Sequence, residues 1–367
     1  MSETTQSRAP KAWCPGWCRL SLFITMMVPS IGAGAGGQEP RASSPGLTAV
    51  PGIRVGHATL AERPTGCTVV LVEAGAVGGV DVRGGAPGTR ETDVLDPVNS
   101  VGVVHAVVLS GGSAFGLDVS SGVVRYLEEH GIGFETSVAK VPIVVQAILF
   151  DLATGADPSV RPGAECGYEA AATAGTGPIV EGSIGAGAGA TVGKLRGMGR
   201  AMRGGVGTAS VTRADGLTVA ALVAVNAIGD VVDPATGRVV AGVRTEDGTG
   251  LADARRLLRT GAVEPNPLEN TTIGVVATNA RLTKAEATKV AQMAQDGYAR
   301  TIYPAHGAWD GDVIFSLATG SFEGDADLTQ LGALAADVVA EAILRAVRKA
   351  SGLEGIPAIV DLGHGGR

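Results

Sequence analysis

The chain has 367 residues, enough for one large domain or two modest ones. Its 56 glycines are about twice the usual share, yet 45% hydrophobic against 18% charged residues excludes a disordered chain, and no Gly-X-Y period or sustained heptad admits a collagen or a coiled coil. With 29 basic and 36 acidic residues the net charge is −7, the wrong sign for neutralising phosphates, so nucleic acid is not an expected partner.

Residues 1–45 differ from the rest. Lys11 and Arg19 precede the apolar run Leu20–Val28, and the small residues Ala33-Gly34-Ala35 follow. That order matches a secretory signal peptide cut near Ala35. The long segment before it, with Cys14-Pro15-Gly16-Trp17-Cys18, leaves an unstructured leader equally open, so export and a cytoplasmic location both stand. The apolar run is too short to span a bilayer. The uncharged stretch Pro97–Leu117 is interrupted by Gly111-Gly112-Ser113, and no membrane segment is expected.

From Gly46 onward, short β-branched runs alternate with glycine turns. Cys67–Val72, Val103–Leu109, Gly182–Val192, Val206–Val211 and Leu217–Val225 read as strands, and their apolar character on both faces predicts sheets covered on both sides. Ser113–His130 reads as a helix ended by Gly131. Four cysteines do not make a disulfide framework for this length, so Cys67 and Cys166 are expected to be ordinary small core residues. The basic cluster Lys194, Arg196, Arg200, Arg203 lacks interleaved aromatics. Arg259–Asn270, with Pro265 and Pro267, reads as a linker. Thr283-Lys284-Ala285-Glu286 forms a capping box that opens a helix to about Arg300. A last helix follows Asp327, with Leu331, Leu334, Ala335, Val338 and Ala342 on one face. Helices separated by consecutive strands predict a layered α+β body with stacked sheets.

Two motif readings fail. The run Gly185, Gly187, Gly189, Gly193, Lys194 would need Gly where Ala188 stands and Ser or Thr where Leu195 stands to be a phosphate loop. Gly111-Gly112-Ser113-Ala114-Phe115 lacks the last glycine of a nucleophile elbow. None of the five histidines has metal-ligand spacing, so no metal is expected.

The junction Asn270-Thr271-Thr272-Ile273-Gly274-Val275-Val276 is more informative, because a proline-rich linker stops abruptly at a strand-forming run. By itself this is a strand that begins with two threonines. Were Thr271 a chain terminus, it would carry a hydroxyl nucleophile and an α-amine of pKa ~7.7–8.0 able to act as general base without histidine. Downstream, Asp310 and Asp312 share one face if Asp312 opens a strand, and paired carboxylates can orient an ammonium or keep one proton between them. An Asp-Gly turn is the simpler reading of that triplet taken alone.

Together these residues resemble the self-processing L-aminopeptidase/D-esterase family, whose relatives include β-peptidyl aminopeptidases and nylon-oligomer hydrolases. The resemblance covers about residues 46–360. It rests on Gly52-Ile53-Arg54-Val55-Gly56-His57, Arg83-Gly84-Gly85-Ala86-Pro87-Gly88-Thr89-Arg90-Glu91-Thr92, Leu109-Ser110-Gly111-Gly112-Ser113-Ala114-Phe115-Gly116-Leu117, Gly189-Ala190-Thr191-Val192-Gly193-Lys194, Asn270-Thr271-Thr272-Ile273 and Asp310-Gly311-Asp312.

The resemblance implies a four-layer αββα sandwich made as one precursor. That precursor cuts itself between Asn270 and Thr271 into a large chain, 46–270, and a small chain, 271–367, which stay together and oligomerise as αβ units. It implies Thr271 as nucleophile, Asp310 and Asp312 as orienting groups, Lys194 as an assisting lysine and Asn226 as oxyanion donor. Gly112, Ser113 and Phe115 would line the substrate site, on small peptide or amide substrates, with no cofactor. Phe115 stands where the family commonly has Tyr, which removes a hydroxyl and puts substrate preference in question. Two alternatives remain: an acyltransferase of the ornithine acetyltransferase type, whose Ala-Thr-Met-Leu junction is missing here, and a non-catalytic protein that retains the fold.

Overall fold

A computed structural model describes residues 45–264 and 270–362. The leader with its cleavage signature, and Pro265–Pro267 of the expected linker, lie outside the described residues. Among these, no helix is long and apolar enough to cross a membrane.

The main elements are β1 (Arg54–Thr59), β2 (Gly66–Val82), β3 (Val104–Ser110), α1 (Val119–Glu129), β4 (Val144–Ile148), α2 (Ala164–Ala172), β5 (Gly205–Thr212), β6 (Thr218–Asn226), α3 (Ala254–Thr260), β7 (Thr271–Thr278), α4 (Lys284–Thr301), β8 (Val313–Ala318) and α5 (Leu328–Lys349). The strands hydrogen-bond in the order β5-β6-β7-β8-β2-β3-β4, ending on a two-residue edge at Thr89–Arg90, with β1 added to β2. β2 is 17 residues long and serves two halves of this set. Its first part pairs with β1 and β3, its pairing with β3 shifts register between Leu71 and Ala76, and Val77–Val82 then pair antiparallel with β8.

Period-two alternation explains why the halves stack. On β6, Ala220, Leu222 and Ala224 join a central core while Val219, Ala221, Val223 and Val225 face the other way. Ile273, Val275 and Ala277 of β7 and Val313, Phe315 and Leu317 of β8 enter the same central core, opposite Val70 and Val72 of β2, Val107 and Leu109 of β3, and Val145 and Ala147 of β4. The outer faces are closed by helices. α4 and α5 pack Val290, Tyr298, Val339 and Ile343 on one, and α1 and α2 pack Val123, Leu127 and Ala170 on the other. The result is the α+β four-layer αββα sandwich.

Local signals hold for the helices. Thr283 and Glu286 make the capping box of α4, and Asp327 caps α5 through the Gln330 N–H. The Ser113–His130 reading resolves into a 3₁₀ turn, Ser113–Asp118, followed by α1.

Two expectations are corrected. Gly182–Val192 is not a strand; it contains a 3₁₀ turn, Gly185–Gly187, and only Thr191–Val192 is extended. A Cβ on Gly187 would strike the backbone of Gly205 and Val206, so these glycines allow chain-on-chain packing that a strand pattern does not encode. Cys67 and Cys166 are joined in a disulfide that ties the start of β2 to α2. Their sequence separation of 99 left no local trace of the pairing. Closing a loop of that size restrains the unfolded chain by about 4–5 kcal/mol in a chain-entropy account. Replacing both cysteines by alanine is expected to lower the free energy of unfolding by about 2–4 kcal/mol, read from urea titrations of the oxidised parent and the variant.

Candidate active site

Thr271 is the first residue of β7, and the parallel pairing of β7 with β8 brings the starts of both strands side by side. An Asn270–Asp310 bridge extends that pairing backward, while Asn226 stands opposite Thr271 on the antiparallel neighbour β6. Register therefore gathers Asn226, Asn270, Thr271 and Asp310, and Asp312 lies in the turn just before β8. Thr271 is 4% exposed, Asp310 3% and Asp312 2%, so the cluster is closed to bulk water.

The Thr271 hydroxyl donates to the carbonyl oxygen of Asn270, and the Gly311 N–H donates to that same oxygen at 3.0 Å. Asp312 Oδ1 accepts the Thr272 N–H at 2.7 Å, and its Oδ2 accepts the His306 N–H at 3.0 Å. His306 Nδ1 lies 3.0 Å from that Oδ2. Asp310 Oδ2 accepts the Gly307 N–H at 2.6 Å. Burial pushes the Asp310 carboxyl up to about 6; the Asp312 charge adds to the rise, and the Gly307 N–H and the Lys194 ammonium oppose it.

The Arg83–Ala86 run clamps this turn through its backbone. Arg83 and Gly84 donate to the Asp312 carbonyl (3.0 and 3.1 Å), and Ala86 donates to the Asp310 carbonyl (2.8 Å). Gly311 is required between the two carboxylates, because a Cβ there would lie 2.7 Å from Thr271 Oγ1 and 2.9 Å from the Ala86 carbonyl oxygen.

Lys194, only 1% exposed, donates from Nζ to Asn226 Oδ1 at 3.0 Å and to the Asn226 carbonyl at 3.2 Å. Asn226 Oδ1 also accepts the Thr191 N–H, and its amide nitrogen donates to the Phe150 carbonyl at 2.8 Å. The amide assigned to an oxyanion thus donates to the Phe150 carbonyl in the uncut chain.

Gly112, Ser113 and Phe115 form a second group around Asp151. Gly112 N–H donates to Asp151 Oδ1 at 2.9 Å, and Ser113 N–H to the Leu149 carbonyl at 3.0 Å. Phe115 is 59% exposed, with the Arg161 guanidinium 3.7 Å above its ring. Among the described residues no hydrogen bond joins this turn to Thr271; Leu149–Asp151 connects the groups through Phe150 and Asn226. A cavity of about 350 Å³ lined by Val55, His57, Ile179 and Val180 lies elsewhere and includes none of these residues. Among the described residues no cluster of metal-ligating side chains is present.

Sequence reasoning missed His306, the Gly311 N–H and the pair Arg63–Asp151. The ion pair spans 88 positions and leaves no local pattern. His306 sits six residues before Asp312 between Ala305 and Gly307, and that proximity to a suspected carboxylate pair was its only signal.

Residues 46–359 match the model of Peptidase family S58. An uncharacterized aminopeptidase of Mycobacterium leprae is 46% identical over 85% of this chain and 92% of its own length. A 6-aminohexanoate-oligomer endohydrolase of Kocuria sp. is 31% identical over 81% and 84%. Among solved structures, a beta-aminopeptidase of Burkholderia sp. superposes with a TM-score of 0.62 at 24% identity, covering 88% of this chain and 94% of that one. The L-aminopeptidase D-Ala-esterase/amidase of Ochrobactrum anthropi, a variant of the N-terminal-nucleophile hydrolase fold, gives 0.64 at 20% identity over 88% and 93%. At such identities the structural likeness concerns the fold, whereas the family match spans nearly all of the described residues. The chain belongs to peptidase family S58 and is a hydrolase of peptide or amide bonds.

Proposed function

We propose that the chain cuts itself between Asn270 and Thr271, and that the freed Thr271 then hydrolyses small peptides or amino-acyl amides through an acyl-Thr271 intermediate. The observation that carries this reading is the junction itself, a buried hydroxyl hydrogen-bonded to the carbonyl oxygen of the preceding residue. In the first step Oγ1 of Thr271 attacks the Asn270 carbonyl carbon, the C–N bond breaks, and the hydroxyl proton passes to the leaving nitrogen. Water then hydrolyses the ester, leaving an Asn270 carboxylate and a free Thr271 amine. The Gly311 N–H lies where negative charge builds on the Asn270 oxygen, and one such donor is worth ~2.7–4 kcal/mol in a comparable setting. Asp312 anchors the next peptide N–H and so fixes the new chain end, while Asp310 orients the amine. Lys194 holds Asn226 opposite Thr271 on the β6–β7 ladder, at the place of the oxyanion donor.

The expected products are a large chain ending at Asn270, of 235 residues if the leader is cut after Ala35, and a small chain of 97 residues beginning at Thr271. Intact-mass measurement and amino-terminal sequencing of purified protein should find both. One uncut chain, unchanged on long incubation, would overturn the reading. The similarity to an aminopeptidase and to an oligomer endohydrolase supports a substrate panel of amino-acid anilides, β-amino-acyl amides and 6-aminohexanoate oligomers. Cleaved protein that turns over none of them would instead be a non-catalytic member of the fold.

The carboxylate form of Asp310 exists above about 6 and is lost below it. The rate of self-cleavage, which precedes any free amine, is therefore expected to fall about tenfold per pH unit below 6, with a plateau toward neutrality, as read from intact-mass time courses between pH 4.5 and 8.

A further inference from the structure

We propose that His306 is a positioning residue which holds Asp312 by two donors, its own backbone N–H and its ring Nδ1, and so aims the other Asp312 oxygen at the chain end that Thr271 occupies. This rests on the reading of Thr271 as the nucleophile. Both donors meet one atom, Oδ2, at 3.0 Å each, and the opposite oxygen takes the Thr272 N–H at 2.7 Å. A single residue achieves this because His306 adopts φ 56°, a left-handed conformation that histidine, asparagine and glycine accept more readily than most residues. Its ring is stacked on Tyr298 of α4, with centroids 5.9 Å apart and planes 27° apart, so its direction is fixed by packing.

The groups facing the pair make the role chemical as well as geometric. Asp310 and Asp312 repel one another in a closed site, and the Gly307 N–H, Lys194 and His306 each lower the Asp310 pKa. Tyr298 keeps its hydroxyl proton because burial, and then the Asp312 charge, raise its pKa well above the usual value. Thr272 and His306 together supply three N–H donors to Asp312, whereas Asp310, which takes the Gly307 N–H, is the carboxyl that burial pushes up to about 6. His306 thus assigns different tasks to two like residues.

Two substitutions separate donor from filler, since both tolerate the left-handed backbone. His306→Asn keeps an N–H donor at the place of Nδ1; His306→Gly removes it. The glycine variant is expected to self-cleave more slowly and to lose about 10²-fold in kcat with little change in KM. Its acid limb should move upward, because the carboxylate pair, short of a donor, holds its proton to higher pH. The asparagine variant should stay within about threefold of the parent, with the limb in place. If the glycine variant does not accumulate as folded protein, the asparagine variant decides alone, since its self-cleavage, kcat and acid limb should all match the parent. A donor-less variant that cleaves and turns over like the parent would overturn the proposal, as would an asparagine variant impaired as badly as glycine. Failure of the underlying reading looks different: the parent would then stay uncut, or Thr271→Ala would still release two chains.

Discussion

Thr271→Ala is expected to leave the chain whole and to lower amide turnover by about 10⁴-fold or more, the scale seen when a nucleophile is removed from an acyl-transfer site. Alanine keeps the β7 backbone and its pairing with β6 and β8, so the fold should persist and the effect should be purely chemical. Thr271→Ser retains the attacking oxygen and should still cleave. The two variants, followed by intact mass and by anilide hydrolysis, separate the hydroxyl from the methyl group that shares its carbon. An alanine variant that yields a fragment beginning at position 271 would show that some other group attacks the junction.

Asp151→Ala should cost about 3–5 kcal/mol, because it strands the Arg63 guanidinium in the interior. Both side chains of this pair are 0% exposed, and Arg63 Nη2 donates to Asp151 Oδ1 at 2.9 Å. The carboxylate also takes the Thr65 hydroxyl at 2.6 Å and the Gly112 N–H at 2.9 Å, so one residue ties its own segment to two others. Urea unfolding should show a lower midpoint with an unchanged slope. Since Asp151 follows Phe150, whose carbonyl holds Asn226, the surviving folded fraction should also self-cleave more slowly. A loss below about 1 kcal/mol would mean that the three backbone carbonyls on Arg63, those of Asp151, Thr154 and Val160, suffice to hold the buried charge.

What the sequence disclosed follows from the range of the forces involved. Cys67–Val72, Val103–Leu109, Val206–Val211 and Leu217–Val225 were legible because β-branched runs state their own conformation, and the capping box at Thr283 does the same for α4. Gly182–Val192 misled because its glycines answer to a neighbouring strand, not to their own chain direction. Asp310 and Asp312 were found as a pair, but β8 begins at Val313, so it is the turn clamped by Arg83–Ala86 that gathers them. Cys67 with Cys166, Arg63 with Asp151, and the Gly311 N–H on the Asn270 oxygen are long-range meetings that no local pattern announces. Nor does any local pattern reveal that one donor of Asn226 is engaged with Phe150.

The place of β7 and β8 in the strand order has an effect on the history of the molecule. Both belong to the segment after the proposed cut, yet they run between β6 and β2, which belong to the segment before it. A scission at Asn270 would therefore part the chain without parting the body, and separating the halves would mean unzipping a ladder on either side. The reverse journey is harder still: fragments that once folded as a single thread would have to find each other from solution. Maturation on this plan acts as a ratchet, since the working form inherits a shape it cannot readily rebuild, and its endurance is set by how slowly it opens.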